Sequence, residues 1–231
     1  KPIEEKWLWH MRFSIHEIAV AESIKRNLKP GDIYIDVGAN IGYFTALGAS
    51  LVGTGGQVHS FEPLPSVFPY LQEIARLNPR YKIIINNTAL GDTTGKAVIQ
   101  ESLYSSGSSM VPGLLSPQSI IRKEEVRIIR LDDYLKEQHI EKVALIKIDV
   151  EGYEFFVLRG LQNYFENSQY RPLIICEIIK DAYPLISVTV EDLLSFMHRY
   201  GYEAFDIMVP WRKIDITKIT SGENVLWRAL K

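Results

Sequence analysis

The sequence predicts an α/β fold: a doubly wound, mostly parallel sheet with helices on both faces. Short β-branched runs alternate with segments of helical periodicity, the pattern of strands joined by crossover helices. The runs are continuously apolar, as strands buried on both faces are. The first of them leads into a glycine turn, and such sheets bind ligands beyond the carboxyl ends of their strands.

The elements follow in chain order. Residues 13–28 place Ile15, Ile18, Ala19, Ala21, Ile24 and Leu28 at helical spacing, and Lys29-Pro30-Gly31-Asp32 ends that helix. Ile33-Tyr34-Ile35 is the first strand, with a helix expected over 41–52. The second strand, 58–61, precedes a helix over 66–77, and 83–85 is the third. The fourth, 143–148, leads to a helix over 153–165, and the fifth, 173–178, to a helix at about 190–200. Runs at 202–205 and 225–230 are expected to close the sheet edge as an antiparallel pair, joined by a polar stretch without a helix. Residues 96–130 form an insertion: two β-like runs, 97–99 and 126–129, around a serine-rich loop. Long loops in compact domains tend to be functional, so this one is expected to act as a substrate lid. The whole of 1–231 is expected to be a single domain, with a helical N-terminal extension over about 1–29.

Composition narrows the function classes. The chain has 231 residues, 46% of them hydrophobic, and a net charge of −2. That suits one sizeable core and lacks the basic surplus of a nucleic-acid binder. The single cysteine, Cys176, rules out an intrachain disulfide and lies in an apolar run, where it reads as a core residue. There is no apolar run of membrane-spanning length and no visible signal-peptide segment, so a cytoplasmic location without membrane insertion is expected. The five histidines show no ligand spacing.

The residues after each strand carry the chemistry. Asp36-Val37-Gly38-Ala39-Asn40-Ile41-Gly42 follows the first strand; its glycines permit a tight turn and close approach of a ligand. A dinucleotide fingerprint would place glycines where Asn40 and Tyr43 stand, which argues against a pyrophosphate and against a dehydrogenase. Glu62, about 20 residues on, can accept hydrogen bonds from two ribose hydroxyls. Asn87 follows the third strand, where it can read an adenine edge or simply make a turn. Strand alternation sets Lys147 and Asp149 on one face at the end of the fourth strand, and Glu151 with them if the strand runs that far. A lysine in an apolar strand is costly unless paired, so a functional cluster is expected, with Glu177 close by if the fifth strand neighbours the fourth. Trp7, Trp9 and Phe13 are either a cap on the site or core.

Taken together these segments resemble the FkbM family of methyltransferases. The resemblance spans roughly 30–178 and rests on Pro30-Gly31-Asp32 with the glycine turn, Phe61-Glu62-Pro63, Asn87-Thr88-Ala89-Leu90-Gly91-Asp92, Leu131-Asp132-Asp133-Tyr134, and the block Ile146-Lys147-Ile148-Asp149-Val150-Glu151-Gly152-Tyr153-Glu154. It implies a Rossmann-like class I methyltransferase fold, seven-stranded with an antiparallel last strand. It also implies S-adenosyl-L-methionine as cofactor and a hydroxyl oxygen of a sugar, polyketide or other small molecule as methyl acceptor. By position, Asp36, Gly38, Asn40 and Gly42 belong to the cofactor turn along its methionine part, Glu62 holds the ribose, Asn87 lies near the adenine, and Asp149 lies near the amino end and the transferred methyl. Asp149 or Glu151 is the expected base, with Lys147 in the same catalytic cluster. Asp149 and Glu177 could together hold magnesium, but two carboxylates do not make a cage, and no metal ligand is assigned.

Two rival functions share this fold. A nucleic-acid or protein methyltransferase is the first; amino-group methylation of bases usually shows Asn/Asp-Pro-Pro-aromatic where this chain has Asp149-Val150-Glu151-Gly152. The second is a non-catalytic cofactor-binding module, whose mark would be a damaged turn; Gly38, Gly42 and Glu62 are all present.

Overall fold

The computed structural model describes residues 15–103 and 107–230. The aromatic group Trp7, Trp9 and Phe13 lies outside them. The elements run α1 (Ile15–Asn27), β1 (Ile33–Val37), α2 (Tyr43–Val52), β2 (Gln57–Phe61), α3 (Phe68–Leu77), β3 (Lys82–Asn86), β4 (Ala89–Gly91), β5 (Gly95–Ser102), β6 (Ile120–Arg130), α4 (Leu131–Glu137), β7 (Leu145–Ile148), α5 (Glu154–Arg159), α6 (Gln162–Asn167), β8 (Leu173–Ile178), α7 (Val190–Arg199), β9 (Tyr202–Asp206) and β10 (Glu223–Ala229).

Seven strands form the main sheet in the order β3-β2-β1-β7-β8-β10-β9. The four pairings from β3 to β8 are parallel, and β10 runs antiparallel to both of its neighbours. The closing pair is therefore not laid on in sequence order: β10 inserts between β8 and β9, so the last strand, not its predecessor, meets the parallel sheet. Strand order reverses between β1 and β7, which is where an open sheet leaves a crevice.

Period-two alternation explains how apolar runs serve two faces. Ile35, Ile146, Ile174 and Trp227 pack with the helices α4 to α7, whereas their neighbours Tyr34, Leu145, Ile175 and Leu226 pack with α1 and α2. All eight are fully buried. The two clusters make a helix–sheet–helix sandwich around the central strands.

The insertion forms its own sheet in the order β4-β6-β5, with β4 parallel and β5 antiparallel to β6. Its strands run further than the sequence suggests, 95–102 and 120–130. The helix expected over 153–165 is broken into α5 and α6 at Gly160. There β4 passes so close that a Cβ would lie 2.1 Å from the Gly91 carbonyl oxygen. Asp132 restarts the chain as α6 by accepting the N–H groups of Asn163 and Tyr164 at 2.9 and 2.8 Å. The Leu131-Asp132-Asp133-Tyr134 segment is thus a structural joint.

Candidate active site

The turn after β1 is built by contacts between strand ends. Gly38 and Ala39 donate their N–H groups to the Phe61 carbonyl at 3.0 and 2.9 Å. Gly38 has φ +74°, and a Cβ there would lie 1.8 Å from the Asp149 carbonyl oxygen, so glycine is required by the neighbouring strand end as much as by any ligand. Asn40 is left-handed at φ 50°, and its N–H donates to Glu62 Oε2 at 2.9 Å. Glu62 Oε1 accepts the Leu64 N–H, also at 2.9 Å. Burial pushes the Glu62 carboxyl up to about 7, against the pull of those two donors.

Two residues expected in the cofactor turn stand back from it. Asp36 is fully buried behind the cavity wall, accepting the Thr45 hydroxyl at 2.7 Å, and Thr45 in turn meets Ser60 Oγ at 2.8 Å. Gly42 caps α2 at φ 91°, where a Cβ would press Leu71 and Ile74 of α3 at 3.0 Å. Its conformation serves helix packing.

The second half of the site stands on β7 and β8. These strands are adjacent, and one carboxylate oxygen from each of Asp149, Glu151 and Glu177 lies within 4.8 Å of the others. Lys147, almost fully buried, places Nζ 3.0 Å from Asp149 Oδ2, 3.8 Å from Asp36 Oδ1 and 4.9 Å from the Phe44 ring centroid. Burial works to lower the Lys147 ammonium, but Asp149 and Asp36 overcome it and hold the group above its ordinary value. Burial likewise raises Asp149, yet the Lys147 charge and a hydrogen bond from Glu177 bring it below the usual carboxylate range. Glu177 is pushed up to about 11, by burial and then by Asp149. Glu151 reaches about 8, by burial and then by Asp149 and Glu154. At neutral pH the cluster is thus one ionised carboxylate on a buried lysine, flanked by two carboxyls that retain protons. Glu151 also takes a left-handed backbone, φ 53°, in the turn that leads to Gly152.

These groups open onto one cavity of about 290 Å³ along the carboxyl ends of β3, β2, β1, β7 and β8. Its wall includes Gly38, Asn40, Glu62, Lys147, Asp149, Glu151 and Glu177. Asp36, Gly42 and Asn87 are off that wall. The Asn87 amide donates to the carbonyls of Glu62 and Pro63 at 2.9 and 3.1 Å on the exposed side of the turn, so the turn reading describes it and Thr88 faces the cavity instead. Sequence reasoning missed Asn224 and Gly222, which reach the wall because β10 returns beside β8 and pairs Asn224 with Glu177. It also missed Ile99, Ser108 and Met110 of the insertion, and Glu17 and Val20 of α1. No signal local to those residues marks them; they arrive by long-range pairing.

Residues 36–204 match the family model of the methyltransferase FkbM domain. The chain belongs to the FkbM methyltransferase family. It is 30% identical over 166 residues to the 31-O-demethyl-FK506 methyltransferase FkbM of Streptomyces tacrolimicus, covering 59% of this chain and 62% of that protein. It is 26% identical over 172 residues to the hexuronic acid methyltransferase AglP of Haloferax volcanii, covering 74% and 66%. The chain therefore spans somewhat under two thirds of the length of these curated relatives. Among solved structures it superposes on methyltransferase FkbM from Methylobacillus flagellatus with a TM-score of 0.51 at 15% identity, over 90% of this chain and 50% of that one. It superposes on an rRNA methylase from Streptococcus thermophilus with a TM-score of 0.50 at 10% identity, over 95% and 99%. At such identities the likeness shows the fold alone, the Rossmann-like class I methyltransferase fold. The FkbM-matched stretch takes in the glycine turn, Glu62 and the carboxylate cluster, and ends before β10 and Asn224. No helix among the described residues is long and apolar enough to cross a membrane.

Proposed function

We propose that the chain transfers a methyl group from S-adenosyl-L-methionine to a hydroxyl oxygen of a small molecule or sugar. The observation that carries the proposal is the Glu62 carboxylate, clasped by the Asn40 and Leu64 N–H groups on the wall of the same cavity as the Lys147, Asp149, Glu151 and Glu177 cluster. Each Glu62 oxygen spends one lone pair on an N–H and keeps another for a ribose hydroxyl. The ionised Asp149 on the cavity wall suits the cationic methionine part of the cofactor, and the intervening turn is bare of side chains at Gly38. The residues present fit the cofactor. The α1 helix and the insertion reach the same cavity, which makes the chain a single methyltransferase domain in this proposal.

The cofactor, when bound, supplies an electrophilic methyl on sulfur. The protein has to orient the acceptor in line with it, exclude water and take the hydroxyl proton. Asp149 is a poor base, because Lys147 and Glu177 stabilise its ionised form. Glu151 is the stronger one once it has lost its proton, so methyl transfer should quicken as pH rises towards 8. Lys147 positions Asp149 and balances its charge. The acceptor class follows the relatives, one named for 31-O-demethyl-FK506 and one for hexuronic acid.

Calorimetric titration with S-adenosylhomocysteine tests the proposal, run with magnesium and again with a chelator. Micromolar binding in both conditions is expected. Binding that requires magnesium would assign an ion to the Asp149, Glu151 and Glu177 oxygens, and absence of binding in both would overturn the methyltransferase function. Mass spectrometry of a panel of glycosides and polyols for gain of one methyl group then tests the acceptor class, and methylation confined to amines or nucleic acid would refute it.

A further inference from the structure

The cavity differs in chemistry from end to end. Beyond β7 and β8 it carries the carboxyl cluster; beyond β3 and β2, past Glu62 and Thr88, Leu64 and Ala89 meet Ile99 and Met110 of the insertion in one buried apolar cluster. A charged amino-acid group cannot be buried against that apolar end without a large desolvation cost, whereas a flat uncharged heterocycle loses little there.

We infer that the insertion forms the wall of the adenine seat, through Ile99 and Met110, and is not a lid over the acceptor. This rests on the adenosylmethionine function proposed above. The segment that carries Met110 is pinned on both sides. Gln100 and Ser109 exchange backbone hydrogen bonds at 2.8 and 3.1 Å. The fully buried Ser109 hydroxyl donates to the Glu151 carbonyl at 2.5 Å and accepts the Val111 N–H at 3.0 Å. Val111 and Leu114 then pack within 3.2 and 3.3 Å of where a Gly152 Cβ would stand. A strand so tied to the turn of the carboxylate cluster is a fixed wall. It leaves acceptor selection to the opposite end, at Glu177 and Asn224.

The test uses S-adenosylhomocysteine and the full chain. Met110→Ala should weaken its calorimetric affinity at least about fivefold, the loss of roughly 1 kcal/mol of apolar contact, while Met110→Leu stays near the parent. Because truncation in a buried cluster can unsettle the fold, the parent protein carries a second readout. With methyl-labelled methionine, the Met110 signal should shift on adding S-adenosylhomocysteine through the ring current of the adenine, while the exposed Met208 signal stays still. Binding by the parent with an unmoved Met110 signal, or with full affinity in Met110→Ala, overturns the inference and leaves the proposed function standing. Failure of the parent to bind removes both.

Discussion

Lys147 and Asp36 face each other across adjacent strands, paired in register between β7 and β1, with Nζ 3.8 Å from Oδ1 and neither side chain more than 2% exposed. The same ammonium reaches forward to Asp149 on the cavity wall. One buried cation thus ties a carboxylate in the sheet to a carboxylate in the site. Lys147→Met should strand the fully buried Asp36 carboxyl in a low-dielectric interior and leave the part-exposed Asp149 without its cation, at a cost of about 3–5 kcal/mol of stability, read by denaturant unfolding. Asp36→Asn should cost less, because Thr45 can still donate to the remaining oxygen. Equal losses for the two variants would refute Lys147 as the keystone of the network.

Gly38 and Gly31 make a matched pair, since both have positive φ but only Gly38 is crowded. Gly38→Ala drives a Cβ to 1.8 Å from the Asp149 carbonyl, whereas Gly31 has nothing within 4 Å. Gly31→Ala should therefore cost only the backbone strain of about 1–2 kcal/mol. Gly38→Ala should cost clearly more and abolish S-adenosylhomocysteine binding, because β1 and β7 must part. Urea midpoints and calorimetry on both variants read the difference.

Removing the Glu62 carboxylate orphans two N–H groups and deletes the ribose partner. Glu62→Ala should reduce S-adenosylhomocysteine affinity about tenfold or more, as losing a charged hydrogen-bond acceptor predicts. Glu62→Gln should also weaken it, because one of the two N–H donors then faces an amide nitrogen. Unchanged calorimetric affinity in both variants would remove Glu62 from the cofactor site.

Glu154 links burial to pH. Fully buried and accepting the Gly152 N–H at 2.8 Å, it is raised to about 7, chiefly by burial. The folded state then holds a proton that the unfolded state has released, so its contribution to stability is complete below the ordinary carboxyl value and is lost as pH rises towards 7. Between pH 5 and 7 that loss amounts to about 1.4 kcal/mol per pH unit at most. Glu154→Gln keeps the acceptor and cannot titrate, so its stability should fall less steeply over that window than the parent's. Parallel pH profiles by denaturant unfolding would contradict the assignment.

In turnover, Glu151→Gln should slow methyl transfer by about 10²-fold or more while leaving S-adenosylhomocysteine affinity within a few-fold, as loss of a general base does. Asp149→Asn should instead weaken cofactor binding. The reverse pattern would exchange their roles.

The sequence by itself determined the sheet. Apolar runs at 33–35, 143–148 and 173–178 need burial on both faces, and a parallel sheet between helices supplies it. Glycine at 38 and a carboxylate at 62 mark the site because a tight turn and a strand-end acceptor have few other chemical solutions. Tertiary structure alone decided which of the motif residues face the cavity. Asp36 and Gly42 belong to the same turn as Gly38 and Asn40, yet Asp36 turns to Thr45 and Gly42 to α3. Asn87 spends its amide on two carbonyls. Asn224 and Met110 joined the site from segments with no local signal, one by the antiparallel return of β10 beside Glu177, the other by the folding of the insertion onto Leu64 and Ala89. Periodicity reports whether a residue is buried; only packing between elements distant in the chain decides against what it is buried.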